Sequence, residues 1–158
     1  PGYEGHPAID CVYFNGDQYC GDVNSGKIFR MSLDVYADLG YEMVRTIITP
    51  HIVSNDMFLS VYNVEIDVEG GIGTAIGQGS DPGLILYYSY DMANTWLGGW
   101  EAKVGQVGEY TKRVIYGSLG GGRTITIKLE MSDPVPWVIH GITAEVDVES
   151  RLSEREVG

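Results

Sequence analysis

Residues 84–96 read Leu84-Ile85-Leu86-Tyr87-Tyr88-Ser89-Tyr90-Asp91-Met92-Ala93-Asn94-Thr95-Trp96. The last eight follow the Asp-box pattern Ser-x-Asp-x-Gly-x-Thr-Trp with one departure, Ala93 at the glycine position. The pattern marks the bend of a β-hairpin, and its cause is local. An Asp side chain accepts hydrogen bonds from backbone N–H groups of its own turn and so fixes the bend. The Trp is expected to fold back over the hairpin and bury a large ring face. Ser89, Asp91, Thr95 and Trp96 are therefore read as structural residues. The motif speaks for β-structure and only weakly for any activity.

Outward from this hairpin, apolar residues recur with period two, the spacing of a strand with one face in a core. Val64, Ile66 and Val68 alternate with Glu65, Asp67 and Glu69. Ile125, Ile127, Leu129 and Met131 alternate with Thr124, Thr126, Lys128 and Glu130. Ile142, Ala144, Val146 and Val148 alternate with Thr143, Glu145, Asp147 and Glu149. Each set predicts an antiparallel strand with its polar side in water, so much of the acidic charge is strand-face decoration. Asn15-Gly16, Asn24-Ser25-Gly26, Gly70-Gly71, Asp81-Pro82-Gly83 and Gly120-Gly121-Gly122 suit tight reversals or positive φ and separate the strands.

Two stretches break this rhythm. Gly70 to Gly83 is glycine-rich and reads either as a long loop or as a contact surface ordered by a partner. Leu33 to Gly40 is either a short helical turn stopped by Gly40 or an extended connector with a turn. The first ~40 residues have the texture of short hairpins, and a boundary is expected near Met43 to Ser54. The charged end, residues 151–158, predicts a polar tail.

The chain has 158 residues and a formal net charge of -12, from 10 Lys and Arg against 22 Asp and Glu. Such a surface repels phosphate backbones and anionic lipid, which argues against nucleic-acid contact through a basic patch. No apolar stretch approaches the ~20 residues of a membrane-spanning helix. The opening Pro1-Gly2-Tyr3 carries no initiator Met and no signal peptide, and reads as the start of a piece of a longer polypeptide. Cys11 and Cys20 flank the Asn15-Gly16-Asp17 turn and could face each other across a hairpin. The favoured reading is two reduced, half-buried thiols. With His6, His51 and His140 scattered, no thiolate metal set is expected.

Chemistry has little support. Asp-boxes occur in sialidases, but a sialidase needs clustered arginines for a carboxylate, an acid/base carboxylate and an activated Tyr. Arg30, Arg45, Arg113, Arg123, Arg151 and Arg155 are spread along the chain, and a six-bladed propeller needs roughly twice this length. No Gly-x-Ser-x-Gly elbow occurs, and no Gly-Lys-Ser/Thr ending follows the glycine loop. Asp67, Glu69 and Asp81 lack calcium-loop spacing. His140 reads as a hydrogen-bonded strand histidine. Tyr87, Tyr88, Trp96 and Trp100 are explained as packing under the hairpin more simply than as a sugar platform.

Three segments, in order, carry a resemblance. The first is Gly21-Asp22-Val23-Asn24-Ser25-Gly26-Lys27-Ile28-Phe29-Arg30-Met31, with Tyr36-Ala37-Asp38-Leu39-Gly40 behind it. The second is Leu86 to Asp91 with Thr95-Trp96. The third contains Val107-Gly108-Glu109-Tyr110-Thr111-Lys112-Arg113-Val114, Leu119-Gly120, Ile127 to Val135 and the closing Ile142-Thr143-Ala144-Glu145-Val146. Together they resemble the C-terminal portion of the packaged-DNA stabilisation proteins, the tail-hub proteins of short-tailed phages. Two departures stand out: Ala93 replaces the Asp-box glycine, so the turn is expected to relax, and Gly122-Arg123-Thr124 lacks the family's Asp-Arg pair.

The resemblance implies a mostly β protein: propeller-like hairpins over residues 1–45, an antiparallel β-sandwich over 46–150, and a tail over 151–158. It implies a virion structural protein without enzymatic activity or cofactor, found in the virion tail and in the host cytoplasm during assembly. Its implied partners are other tail proteins (the portal or adaptor ring, a tail needle or fibre) and further copies of itself in a ring, commonly a hexamer. Neither membrane nor sequence-specific nucleic acid is among them. Gly70, Gly71, Gly77 and Gly79 become candidate subunit contacts. The alternatives are a carbohydrate-binding β-sandwich and a fragment of a sialidase-like Asp-box protein.

Overall fold

Eleven strands and no helix make up the described residues of the computed structural model, which are 8–38, 40–54 and 57–149. The tail expected over residues 151–158 lies outside them. A three-stranded antiparallel meander comes first: β1 (Ala8–Phe14), β2 (Asp17–Asp22) and β3 (Ile28–Met31). Asn15 and Gly16, at φ 50° and 91°, form the two-residue bend that pairs Phe14 with Asp17. This doubly left-handed turn matches the right-handed twist of the strands it joins. The second bend is held by Asp22, whose carboxylate accepts the Asn24 N–H at 2.9 Å and the Ser25 hydroxyl. The described residues of 32–43 then run as an extended connector with a turn, and none of them is helical.

The Cys11–Cys20 pair corrects the reduced-thiol reading. The two residues are direct cross-strand partners with Cα atoms 4.2 Å apart, and their sulfurs form a disulfide. Hairpin register, invisible in the composition, brings the two thiols together.

The rest is a sandwich. One sheet has the order β4 (Arg45–Ile48), β10 (Thr124–Met131), β7 (Gly83–Ser89), β8 (Leu97–Lys103), with the two-residue β5 (Ile52–Val53) continuing the β4 edge along β10. The other has the order β11 (Ile139–Glu149), β6 (Phe58–Val68), β9 (Val114–Gly122). Between them lie the residues marked out by the alternation: Val64, Ile66 and Val68 from β6, and Ile125, Ile127, Leu129 and Met131 from β10, joined by Leu84, Leu86, Val114 and Leu119. A bulge between Val61 and Asn63 shifts the phase of β6, which lets Leu59 and Val61 also point inward. Two tyrosines stitch the sheets together: the Tyr116 hydroxyl donates to the Leu84 carbonyl at 2.5 Å, and the Tyr90 hydroxyl to the Leu119 carbonyl at 2.7 Å. Burial raises the Tyr116 pKa above the usual tyrosine range and pushes Tyr90 up to about 12.

Two local expectations change. Gly120–Gly122 lies in a strand rather than a tight turn, although Gly120 does take the expected positive φ, 87°: the three pair with Val61–Leu59, and the chain crosses from one sheet to the other at Arg123. Glycine is needed there because a Cβ on Gly122 would lie 2.5 Å from the Tyr90 ring. Thr124 and Thr126, expected in water, are buried, because β10 is central in its sheet and its outer side is covered. Thr124 Oγ1 donates to the Tyr90 carbonyl at 2.7 Å, and Thr126 Oγ1 meets His51 Nδ1 at 2.5 Å. His140 is a strand residue, as expected, and lies exposed on β11.

Candidate functional site

The Asp-box hairpin joins β7 to β8, and its hydrogen bonds are made where the motif requires them. Ser89 is fully buried; its hydroxyl donates to Asp91 Oδ1 at 2.6 Å and accepts the Ala93 N–H at 3.0 Å. Asp91 Oδ1 also accepts the Thr95 N–H at 2.7 Å. These donors, the Ser89 hydroxyl first, hold the Asp91 carboxyl down at about 2. The turn does not relax at Ala93. Met92 and Ala93 both take left-handed backbone, φ 56° and 67°, so alanine carries a conformation that glycine adopts without strain.

Trp96 does not cap the core. It lies half-buried on the outer face of the sheet, where Lys128 Nζ stands 5.0 Å from its ring centroid and 4.2 Å from that of Tyr87. The ammonium also pairs with Glu130 at 2.9 Å. Tyr88 turns the other way, packing on the core and against Tyr90 and Trp100 at ring distances of 5.5 and 5.4 Å. The four aromatics expected to pack together under the hairpin are thus divided between the two faces. Lys128 lies against the rings of both Tyr87 and Trp96. The split follows from β-strand alternation together with a bulge at Gly98-Gly99, opposite Leu86 and Tyr87. Both glycines have positive φ.

The glycine loop, residues 69–82, is ordered from within. Gly71, at φ 76°, receives the Tyr110 ring, and a Cβ there would sit 2.7 Å from it. A Cβ on Gly70 would meet the Val104 carbonyl at 2.9 Å, and one on Gly79 would meet Val135 Cγ1 at 2.8 Å. These three are buried and serve close internal approach. Gly77 alone of the four has open space around it, beside Ile76, which is 87% exposed.

Among the described residues, Arg30, Arg45 and Arg113 do not converge on one site. Arg113 forks onto Glu65, and Arg30 pairs with Asp17 at 3.3 Å. Arg45 donates to the carbonyls of Val135 at 2.7 Å and Asp133 at 2.5 Å, with its guanidinium between the rings of Tyr36 and Trp137. Asp67, Glu69 and Asp81 form no metal set, and no such cluster occurs among the described residues.

The arrangement is a tyrosine-stitched scaffold whose motif residues hydrogen-bond within their own hairpin. It defines an antiparallel β-sandwich module. The chain belongs to the family described as "Bacteriophage P22 Gp10, beta-sandwich", whose model matches residues 44–147. This is the C-terminal portion of the phage tail-hub, DNA-stabilisation protein that the sequence resembles. The family is one of phage structural proteins, which sets the chain among the proteins of the virion tail. No curated protein matches the chain.

Sequence reasoning missed the Lys128 clasp and the Arg45 tie. Each joins residues from separate strands or loops, and their only advance signal was a lone cation within an apolar strand or at its start.

Proposed function

We propose that this chain is part of a phage tail hub that links the portal or adaptor ring to the tail tip and helps to retain packaged DNA. Membership of the Gp10 β-sandwich family carries this reading. It acts by protein contacts and catalyses nothing, in keeping with Arg30, Arg45 and Arg113 being engaged at separate places. Modest contacts from one subunit, repeated around a ring, sum to a firm attachment. In this reading residues 1–45 are propeller-like hairpins belonging to a larger domain, 46–150 are the sandwich, and 151–158 are a tail. The ring is a hexamer, assembled in the host cytoplasm, and the exposed Ile76–Gly77 tip lies at a subunit contact. The ring meets the portal or adaptor above it and a needle or fibre below.

Native mass spectrometry of the chain over a concentration series, alone and mixed with portal or adaptor rings from the same phage, tests this. The expected result is a six-fold species and a stoichiometric complex with the ring. A chain that stays monomeric at millimolar concentration and ignores the rings would refute it.

A further inference from the structure

The two long sides of the sandwich differ. On one side β8 and β9 are in contact and the sheets meet. On the other, the β4–β5 edge and β11 are separated by an apolar slot of 300 Å³. Its floor is Leu59, Val61, Ile125 and Ile127, and its lips are Ile52 and Val146. The lips are half exposed, Ile52 at 50% and Val146 at 44%, and Val148 continues the row at 41%. Among the described residues β11 pairs only with β6, so its other edge carries free backbone donors and acceptors.

The two edges are not equally receptive. The β4–β5 edge is interrupted at Thr49-Pro50-His51, and proline there removes a donor. Over residues 139–149 β11 has no proline and no lysine, the residues that usually blunt an edge. The outer face is equally distinctive. β6, β9 and β11 together carry Glu65, Asp67, Glu145, Asp147 and Glu149, with no lysine or arginine in any of the three strands. Arg113, just before β9, answers Glu65. Asp67, Glu145, Asp147 and Glu149 have no cationic partner among the described residues.

We propose that this seam receives one extended segment of another polypeptide in which apolar side chains alternate with lysine or arginine. The segment adds to the free edge of β11. Its apolar side chains fill the slot over Leu59, Val61 and Ile127, and its cations lie on the carboxylate face beside Glu145, Asp147 and Glu149. Strand alternation delivers both sets at once, because successive side chains point to opposite sides. Charge decides against a second copy of this chain: pairing two β11 strands would set one carboxylate row beside the other. The inference deepens the tail-hub reading by naming the chemistry of a contact.

The probe is a synthetic lysine–valine alternating peptide about nine residues long, enough to span the seam at about 3.3 Å per residue. It is titrated into the isotope-labelled full chain. Amide shifts and slowed hydrogen exchange are expected over residues 142–149, with methyl shifts at Ile52 and Ile125. A lysine–serine peptide of equal charge should bind at least about tenfold more weakly, for want of apolar burial. The exposed double substitution Glu145→Lys, Asp147→Lys should weaken the lysine–valine peptide by about tenfold or more and leave the circular dichroism unchanged. Equal binding of the serine peptide, shifts centred elsewhere, no binding, or self-association of the free chain through β11 would each overturn the proposal. A monomeric chain that captures the peptide refutes the ring and keeps the seam; a hexamer that ignores the peptide does the reverse.

Discussion

Replacing Ala93 by glycine should stabilise this protein, although alanine-to-glycine changes usually destabilise. Ala93 sits at φ 67°, and its N–H is already used by the Ser89 hydroxyl at 3.0 Å. A non-glycine residue in left-handed backbone costs roughly 1–2 kcal/mol. Glycine removes that cost and keeps the hydrogen bond, but it loosens the unfolded chain by about 0.4–1 kcal/mol. The difference leaves a net gain of about 0.5–1 kcal/mol. With a urea slope of about 2 kcal/mol per molar, the unfolding midpoint should rise by about 0.3–0.5 M at unchanged slope. Ala75 supplies the control: it is exposed and not left-handed, so Ala75→Gly should lower the midpoint by a comparable amount. Opposite signs for one chemical change isolate the backbone term. If Ala93→Gly proves neutral or destabilising, the turn is not strained at that residue and the account of its tolerated departure from the motif fails.

Asp91 has a folded pKa of about 2 against an ordinary 3.8, so its contribution to stability is complete above about pH 4 and is lost as pH falls toward 2. A carboxyl-carbon NMR titration should find that midpoint, and Ser89→Ala should move it upward. Arg45→Ala removes two hydrogen bonds from a charged donor and a contact between two rings, and should cost roughly 2–3 kcal/mol in denaturant melts. Arg45→Lys should recover less than half of that, since an ammonium cannot reach both carbonyls as a fork does. Tyr116→Phe leaves the buried Leu84 carbonyl without its donor and should cost about 1–2 kcal/mol, with hydrogen exchange rising in both sheets.

The Asp-box was legible in sequence because it closes on itself: Ser89, Asp91, Ala93 and Thr95 bond within one turn. The inward rows of β6 and β10 were legible for a related reason, since alternation needs only the strand's own geometry. Failures came where a residue's environment depends on a remote strand. Gly120–Gly122 carries the composition of a turn and lies in a strand, because Phe58, Leu59 and Tyr90 press on it from elsewhere in the chain. Thr126 looks like a water-facing residue until His51, 75 positions away, covers it.

Sequence alone, then, determined that the chain is β-structured, where the main hairpin bends, and which side chains of the long strands seek an interior. Those are short-range consequences of pleat, turn chemistry and hydrophobic period. The tertiary structure decided that Cys11 meets Cys20, that Lys128 lies between Tyr87 and Trp96, and that one side of the sandwich closes while the other stays open beside β11. Register and sheet order set these, and both are settled by contacts between residues far apart in the chain, where no local pattern can specify the neighbour.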